Sequence, residues 1–344
     1  MIASIKNKVC VHCFTYNQSP YICETMDGFT MQHTDFPFVC TIVDDASTDG
    51  EPLVINRYLE SFFNIDDSSV VRREETEDYN MVYAQHKSNP NCFFAVYFLK
   101  YNHYQKCKDK HPYLVEFSES AEYHAICEGD DYWCHPDKLQ MQVDFLESNK
   151  DYGMVHTDFS LTKGHRRHTK EDNTDDGNWF PRIITEGMNV GTATVLYRKS
   201  VFDKTPKLYK GKNWPMGDKP LWYEIAHESK IKYFPVKTAY YRVLENSASH
   251  SKDINKMIAF KNAGVEIRLF YADYYGVQLG TDGYDASYYE GIIRYACRLG
   301  EKNVAKDYYH QAQSKGIVSK KARLFYIATM YPFVKSLIEL IIKV

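Results

Sequence analysis

Two adjacent carboxylates, Asp130 and Asp131, close the segment Tyr123-His124-Ala125-Ile126-Cys127-Glu128-Gly129-Asp130-Asp131-Tyr132-Trp133. One or two carboxylates completed by the phosphate oxygens of a substrate is a common way for a protein to hold Mg2+ or Mn2+. Ala125 to Cys127 reads as a short buried strand, Gly129 permits a tight turn, and Pro136 suits the opening of a helix marked by Leu139, Val143 and Leu146. The acids therefore fall at the C-terminal lip of a strand, where open α/β sheets bind ligands. A second acidic pair, Asp44 and Asp45, ends the run Phe38 to Val43 and continues into Ala46-Ser47-Thr48-Asp49-Gly50. Carboxylates placed there accept hydrogen bonds from a base imide or from ribose hydroxyls, and the same residue types also make ordinary strand-ending turns. Asp218, after Gly217, suits either a helix N-cap or a general base, with Glu224 as the rival base. His250 lies in the polar stretch Asn246 to Ser251; its imidazole suits Mn2+ better than Mg2+.

These residues need a scaffold, and the flanking pattern supplies one. Val9 to Thr15 reads as a first strand, Ser19-Pro20 as a helix start, and Ile22, Met26 and Phe29 as one face of that helix. Phe38 to Val43 is the second strand and Pro52 to Phe63 the next helix. This strand–helix–strand–helix order predicts an α/β fold with a parallel sheet. Phe93 to Leu99, Gly153 to Phe159, Val190 to Tyr197 and Val236 to Val243 are further strand candidates, and a helix is expected after Gly217-Asp218. Residues 64–122 carry few clear signals, and Asn102 to Lys110 suits a polar, basic loop or lid. Residues 162–178 hold almost no apolar side chain and read as a surface loop. From Asp253 onward the chain is expected to be helical, at 257–275, 284–299, 302–315 and 319–343. The domain division expected is thus 1–252 and 253–344.

The chain has 344 residues, room for roughly two domains at about 150 residues each. Its 42 basic and 45 acidic residues give no electrostatic case for nucleic acid as a partner. Nine cysteines, an odd count set mostly inside apolar runs, suit reduced thiols in a cytoplasmic protein. Cys10 and Cys13 have a Cys-x-x-Cys spacing, but three positions apart on a strand point to opposite faces, and no second pair completes a zinc site. No signal peptide is visible, and no apolar run approaches ~18 residues. In the tail, Val334, Leu337, Ile338 and Ile341 recur at helical spacing opposite Lys335, Ser336, Glu339 and Lys343. That face suits packing on its own domain, or contact with a partner or the inner surface of the cell membrane.

The chain resembles bacterial family 2 glycosyltransferases with the GT-A fold, over about residues 5–252. The resemblance rests on Phe14-Thr15-Tyr16-Asn17, on Val43-Asp44-Asp45-Ala46-Ser47-Thr48-Asp49-Gly50, on Glu128-Gly129-Asp130-Asp131-Tyr132-Trp133 with Pro136-Asp137-Lys138-Leu139, and on Gly217-Asp218 and Ser249-His250. It implies a Rossmann-like, mostly parallel sheet flanked by helices, with the C-terminal helices as an appendage. It also implies inverting transfer of one sugar from a nucleotide-diphosphate donor, by default a UDP-sugar, to a glycan or lipid-linked acceptor of a surface polysaccharide. Asp131 would hold Mn2+ or Mg2+ with His250, and Asp130 would contact the donor's ribose or sugar. Asp45 would contact the nucleobase beside Asp44, with Phe14, Thr15 and Tyr16 shaping the pocket and Asp218 as the base. Gly191 and Thr192 would face the donor sugar, where small residues permit close backbone approach. The Gln-x-x-Arg-Trp signature of processive synthases is absent, which points to single-sugar addition. A nucleotidyl or sugar-nucleotide transferase is an alternative, but Phe14 to Ser19 lacks the Gly, Lys or Arg of a phosphate loop. A catalytically silent sugar-binding scaffold is another.

Overall fold

A computed structural model describes residues 6–67, 71–162, 177–187, 190–244, 251–280, 282–331 and 333. His250 and the tail face from Val334 to Ile341 lie outside the described residues, as does 163–176 of the polar loop. The chain divides into two compact units: Met1–Trp179, Asn189–Thr205 and Ile225–Arg242 form the first, and Phe180–Met188, Pro206–Glu224 and Val243–Val344 the second.

The first unit is built on one ten-stranded sheet. Its strands are β1 (Val9–Thr15), β2 (Phe38–Asp44), β3 (Arg72–Glu75), β4 (Tyr79–Gln85), β5 (Cys92–Leu99), β6 (Tyr123–Ile126), β7 (Tyr132–Trp133), β8 (Tyr152–Leu161), β9 (Leu196–Arg198) and β10 (Lys230–Tyr241). They lie in the order β3-β4-β5-β2-β1-β6-β9-β8-β10-β7. Seven strands share one direction, and β4, β7 and β9 run against them; β5, β2, β1 and β6 form the parallel centre expected, but the antiparallel strands on either side make the whole sheet mixed rather than mostly parallel.

Side-chain alternation sets the two faces. Val9, Val11 and Cys13 of β1 join a core cluster under three helices, while Cys10 points into the opposite cluster. The three helices are α1 (Ile22–Thr30), α2 (Glu51–Phe62) and, past β7, α4 (Lys138–Ser148); the opposite face is covered by α3 (Pro112–Ser120). Ile22, Met26 and Phe29 form the buried stripe of α1. Left-handed Gly50, at φ 90°, and Pro52 in the first turn open α2. All nine cysteines are free thiols, and Cys10 and Cys13 lie on opposite faces of the sheet. Short α5 (Arg182–Thr185) and α6 (Lys199–Phe202) follow before α7 (Asp218–Glu228).

Two local expectations change. Val190 to Tyr197 is not one strand: a 3-10 turn, Thr192–Thr194, precedes three-residue β9. The Thr194 hydroxyl donates to Gly191 O at 2.6 Å, so the small polar residues close on themselves instead of pairing. In the poorly marked region 64–122, the antiparallel strands β3 and β4 extend the sheet beyond β5.

The second unit takes α5, the residues of α7 up to Glu224, and α8 (Ile254–Tyr274), α9 (Ala286–Leu299), α10 (Lys302–Ser314) and α11 (Lys320–Met330). Asp253, Asp285 and Ser319 cap the N-termini of α8, α9 and α11 with their side chains. Its core packs Val265, Tyr288, Tyr289, Ile292, Ile293, Ala312 and Ala322. Among the described residues no helix is long and apolar enough to cross a membrane.

Candidate active site

The acid pair leaves the C-terminal end of β6, a strand next to the sheet's middle, and the loop carrying it is pinned on every side. Gly129 N donates to Phe14 O at 3.0 Å, continuing the β1–β6 pairing past the strand end. The Thr25 hydroxyl of α1 reaches Gly129 O at 2.9 Å and Asp131 O at 2.6 Å. Glycine is required at 129, because a Cβ there would sit 2.6 Å from Thr15 Cβ and 2.9 Å from Gln18 Oε1. Gly28 of α1 plays the matching part below, where a Cβ would meet Trp133 N at 2.8 Å.

Arg242, just past β10, completes the cradle. Its main-chain N–H donates to Asp131 Oδ1 at 2.8 Å and its Nη1 to Asp130 O at 2.6 Å. The guanidinium pairs with Glu24 and lies 4.8 and 4.7 Å from the ring centroids of Tyr21 and Tyr132. Arg242 is only 7% exposed, although arginines are mostly exposed in folded proteins. Its position directly after an alternating strand was the available signal.

Charge is crowded here. Burial first, then Asp130 and Glu128, push the Asp131 carboxyl well above the usual carboxylate range, against the pull of the Arg242 N–H. Burial also raises Asp130, opposed by its hydrogen bond to the Gln18 side chain. The Glu128 carboxylate is occupied in part by Phe14 N at 3.2 Å. Among the described residues, the recorded hydrogen bond to the Asp131 carboxylate comes from a main-chain N–H, and no ammonium or guanidinium offsets its charge. A hard cation suits such an oxygen ligand. The described residues hold no ready-made group of three or more His, Cys, Asp and Glu side chains for a metal. Asp131 therefore fits an ion that takes its remaining ligands from a phosphate-bearing substrate.

The loops after β1 and β2 are stitched together beside this lip. Buried Glu51 accepts the Thr15 hydroxyl, Gln18 N at 2.8 Å and the Ser47 hydroxyl at 2.8 Å. Asn17 Oδ1 accepts Thr48 N at 2.7 Å, and Asp49 Oδ2 accepts Ser19 N at 2.9 Å. Burial lifts the Asp44 carboxyl to about 6, and its Oδ2 is buried with no hydrogen-bond partner among the described residues. Tyr16 stands 37% exposed at the rim.

Asp45, which the resemblance has contacting the nucleobase, is buried and holds a neighbouring segment. It is 1% exposed and accepts His103 N at 2.6 Å, Tyr104 N at 3.2 Å and Lys110 Nζ at 3.1 Å. Its main-chain oxygen takes Asn102 Nδ2 at 3.0 Å. Asp45 thus anchors the 102–110 segment, which places the Lys110 ammonium 5.1 Å from the Phe14 ring centroid and His111 6.0 Å from the same ring. Phe14, Lys110 and His111 form one wall, a feature no motif in 85–118 announced.

Gly191 and Thr192 lie in the turn before β9. A Cβ on Gly191 would meet the Phe159 ring at 2.7 Å, so close approach requires glycine there too. Asp218 opens α7 in the second unit, where its Oδ1 accepts Lys219 N at 2.8 Å. Glu224 is excluded as the rival base: fully buried, it accepts Lys207 N at 2.9 Å, Leu208 N at 2.8 Å and the Tyr271 hydroxyl at 2.6 Å. A general base must reach substrate, and this carboxylate is spent on structure. His250 lies outside the described residues.

No family model matches the chain. Over 137 residues it is 32% identical to uncharacterised proteins of Mycobacterium tuberculosis and Mycobacterium bovis, a stretch that covers 40% of this chain and only 31% of those relatives' length. Among solved structures, a mannosyltransferase from Pyrobaculum calidifontis in complex with GDP-Man and Mn2+ superposes with a TM-score of 0.50 at 15% identity, covering 98% of this chain and 88% of that one. S. aureus TarS 1–349 in complex with UDP gives a TM-score of 0.45 at 15% identity, over 94% of this chain and 92% of that one. The mannosyltransferase likeness shows the fold: a GT-A-type central sheet flanked by helices, with helices at the C-terminal end.

Proposed function

We propose that the chain is a family 2-type glycosyltransferase that moves one sugar, with inversion, from a nucleotide-diphosphate donor to a glycan or lipid-linked acceptor. The observation that carries this is the Asp131 carboxylate, fixed by the Arg242 N–H at a strand's C-terminal lip among Asp130 and Glu128 and without a neutralising side chain among the described residues. A bound Mn2+ or Mg2+ would supply Lewis-acid neutralisation of the leaving diphosphate. Asp131 would hold that ion, with His250 as a second ligand.

The chain's own groups divide the remaining tasks. Asp130 and Asp44 accept from the donor's hydroxyls; Asp44 Oδ2, without a partner among the described residues, is an acceptor in want of such a donor. Phe14, Thr15 and Tyr16 shape the nucleotide pocket, and Asp45 contributes to base recognition by holding the wall of Lys110 and His111. Gly191 and Thr192 line the sugar, and Asp218 takes the acceptor's proton. UDP is the default nucleotide. The same reading has the enzyme on the cytoplasmic side, with residues 334–343 touching the membrane surface; sedimentation of the full chain with anionic liposomes supports that contact, and failure to sediment removes it.

The test is release of nucleoside diphosphate from UDP-glucose, UDP-N-acetylglucosamine or GDP-mannose with Mn2+ present. Turnover that stops with chelator and falls at least about 100-fold in Asp131→Ala supports the proposal. Metal-dependent nucleotide binding without turnover of any of the three would instead favour the silent scaffold.

A further inference from the structure

Three consecutive main-chain carbonyls before β9 are each taken by a buried side chain from the segment after the acid pair. Trp133 Nε1 donates to Ala193 O at 2.7 Å, Gln142 Nε2 to Thr194 O at 2.8 Å and Lys138 Nζ to Val195 O at 3.4 Å. Lys138 also donates to Gln142 Oε1 at 2.8 Å, and its ammonium lies 4.3 Å from the Trp133 ring centroid. The carbonyls belong to a turn and its exit, so a side chain must serve them where no strand does. Trp133 is 1% exposed, and Lys138 and Gln142 are fully buried.

The lysine is the telling member. Among the described residues its partners are a side-chain amide, a main-chain carbonyl and an aromatic face, with no carboxylate. Burial lowers its pKa from 10.5 to about 7, and the nearby Cys127 thiol opposes that shift. An unpaired ammonium in a core is expensive, and a methionine fills similar space without that penalty. Packing alone gives no reason for a lysine at 138. Its donors do, because they tie the helix after the acid loop to the turn that carries Gly191 and Thr192. On its other side Gly191 is pressed against Phe159, so the turn is held between a floor and a clamp.

We propose that Lys138 is a positioning residue which, with Trp133 and Gln142, fixes the Gly191–Val195 turn against the acid loop so that both meet one donor sugar at a set spacing. This rests on the glycosyltransferase reading above. It separates two parts of donor binding. The nucleotide and its diphosphate engage the acid loop directly, whereas the sugar depends on the clamped turn. Loss of the clamp should therefore misalign the sugar while leaving the nucleotide bound, and misplacement of that kind costs up to about 100-fold in rate.

The test compares Lys138→Met with the parent chain. Hydrogen exchange at residues 192–197 should quicken at least about 10-fold as the clamp opens. Mn2+-dependent binding of UDP or GDP, read by thermal shift, should stay within about 3-fold, while kcat on the nucleotide sugar turned over falls about 10- to 100-fold with KM little changed. Unchanged exchange and kcat would overturn the proposal, and so would parallel loss of nucleotide binding and kcat, the mark of general collapse. Trp133→Phe, which removes one N–H and keeps the aromatic body, should show the same split if Lys138→Met fails to fold. If the parent chain turns over no nucleotide sugar, the glycosyltransferase reading fails, and the exchange measurement still decides whether the clamp exists.

Discussion

At the scale of single residues, the acid loop is set by contacts that tolerate little change. Gly129→Ala would drive a methyl group into Thr15 and Gln18. Overpacking of that kind destabilises by about 1–3 kcal/mol, so the urea midpoint should fall, and metal-dependent turnover should fall with it. An unchanged midpoint would show that the loop has slack the geometry denies. Asp45 makes a different prediction. Asp45→Ala strands His103 N, Tyr104 N and Lys110, and the 102–110 segment loses its anchor. Trypsin should then cut faster at Lys106, Lys108 and Lys110 than in the parent; equal rates would mean that something else holds the segment. Lys138 carries a pH signature. Its folded pKa, about 7, lies below the unfolded value of 10.5, so between these limits the unfolded chain binds more protons. The lysine's contribution to stability is thus full above 10.5 and is lost as pH falls toward 7. Relative to Lys138→Met, the parent should gain stability as pH rises across that window, measured by urea unfolding at several pH values; a flat difference contradicts the lowered pKa of the buried amine.

At the scale of elements, strand ends do the positioning, and their legibility in the sequence follows from their surroundings. Strands β1 and β2 were readable because they are central and apolar on both faces, and the acid pair was readable because a glycine and two acids follow a short apolar run. Strand β3, Arg-Arg-Glu-Glu, was not: an edge strand half open to water needs no apolar pattern. The turn before β9 misled for the opposite reason, since Thr and Val favour strands while the hydroxyl of Thr194 closes the turn locally. The place of Arg242 was not legible, because residue type alone puts an arginine outside, and only the fold brings its N–H to Asp131. The loop after β2 carries one local conflict, Ala46 in the left-handed region at φ 59°. Ala46→Gly should stabilise by about 1 kcal/mol, read as a higher urea midpoint with the slope unchanged; a lower midpoint would mean that the methyl group packs better than its backbone suffers.

At the scale of the whole molecule, the helical second unit is not a contiguous tail. It includes Pro206–Glu224, whose Glu224 is held by Tyr271 of α8. A chain cut after residue 252 keeps the carboxylate and loses the hydroxyl, together with the α8 packing around Tyr223 and Tyr271. Such a chain should be recovered largely insoluble or without a cooperative thermal transition, whereas a sharp transition like the parent's would show that the removed helices are dispensable. Whether Asp131 holds an ion against a nucleotide can be read by titration calorimetry of UDP and of GDP into the full chain. One of them should bind the parent with Mn2+ present, chelation should weaken this binding at least about 10-fold, and Asp131→Ala should make it indifferent to the metal. Binding that is equally tight with and without Mn2+, or a metal effect that survives Asp131→Ala, would contradict that role of Asp131.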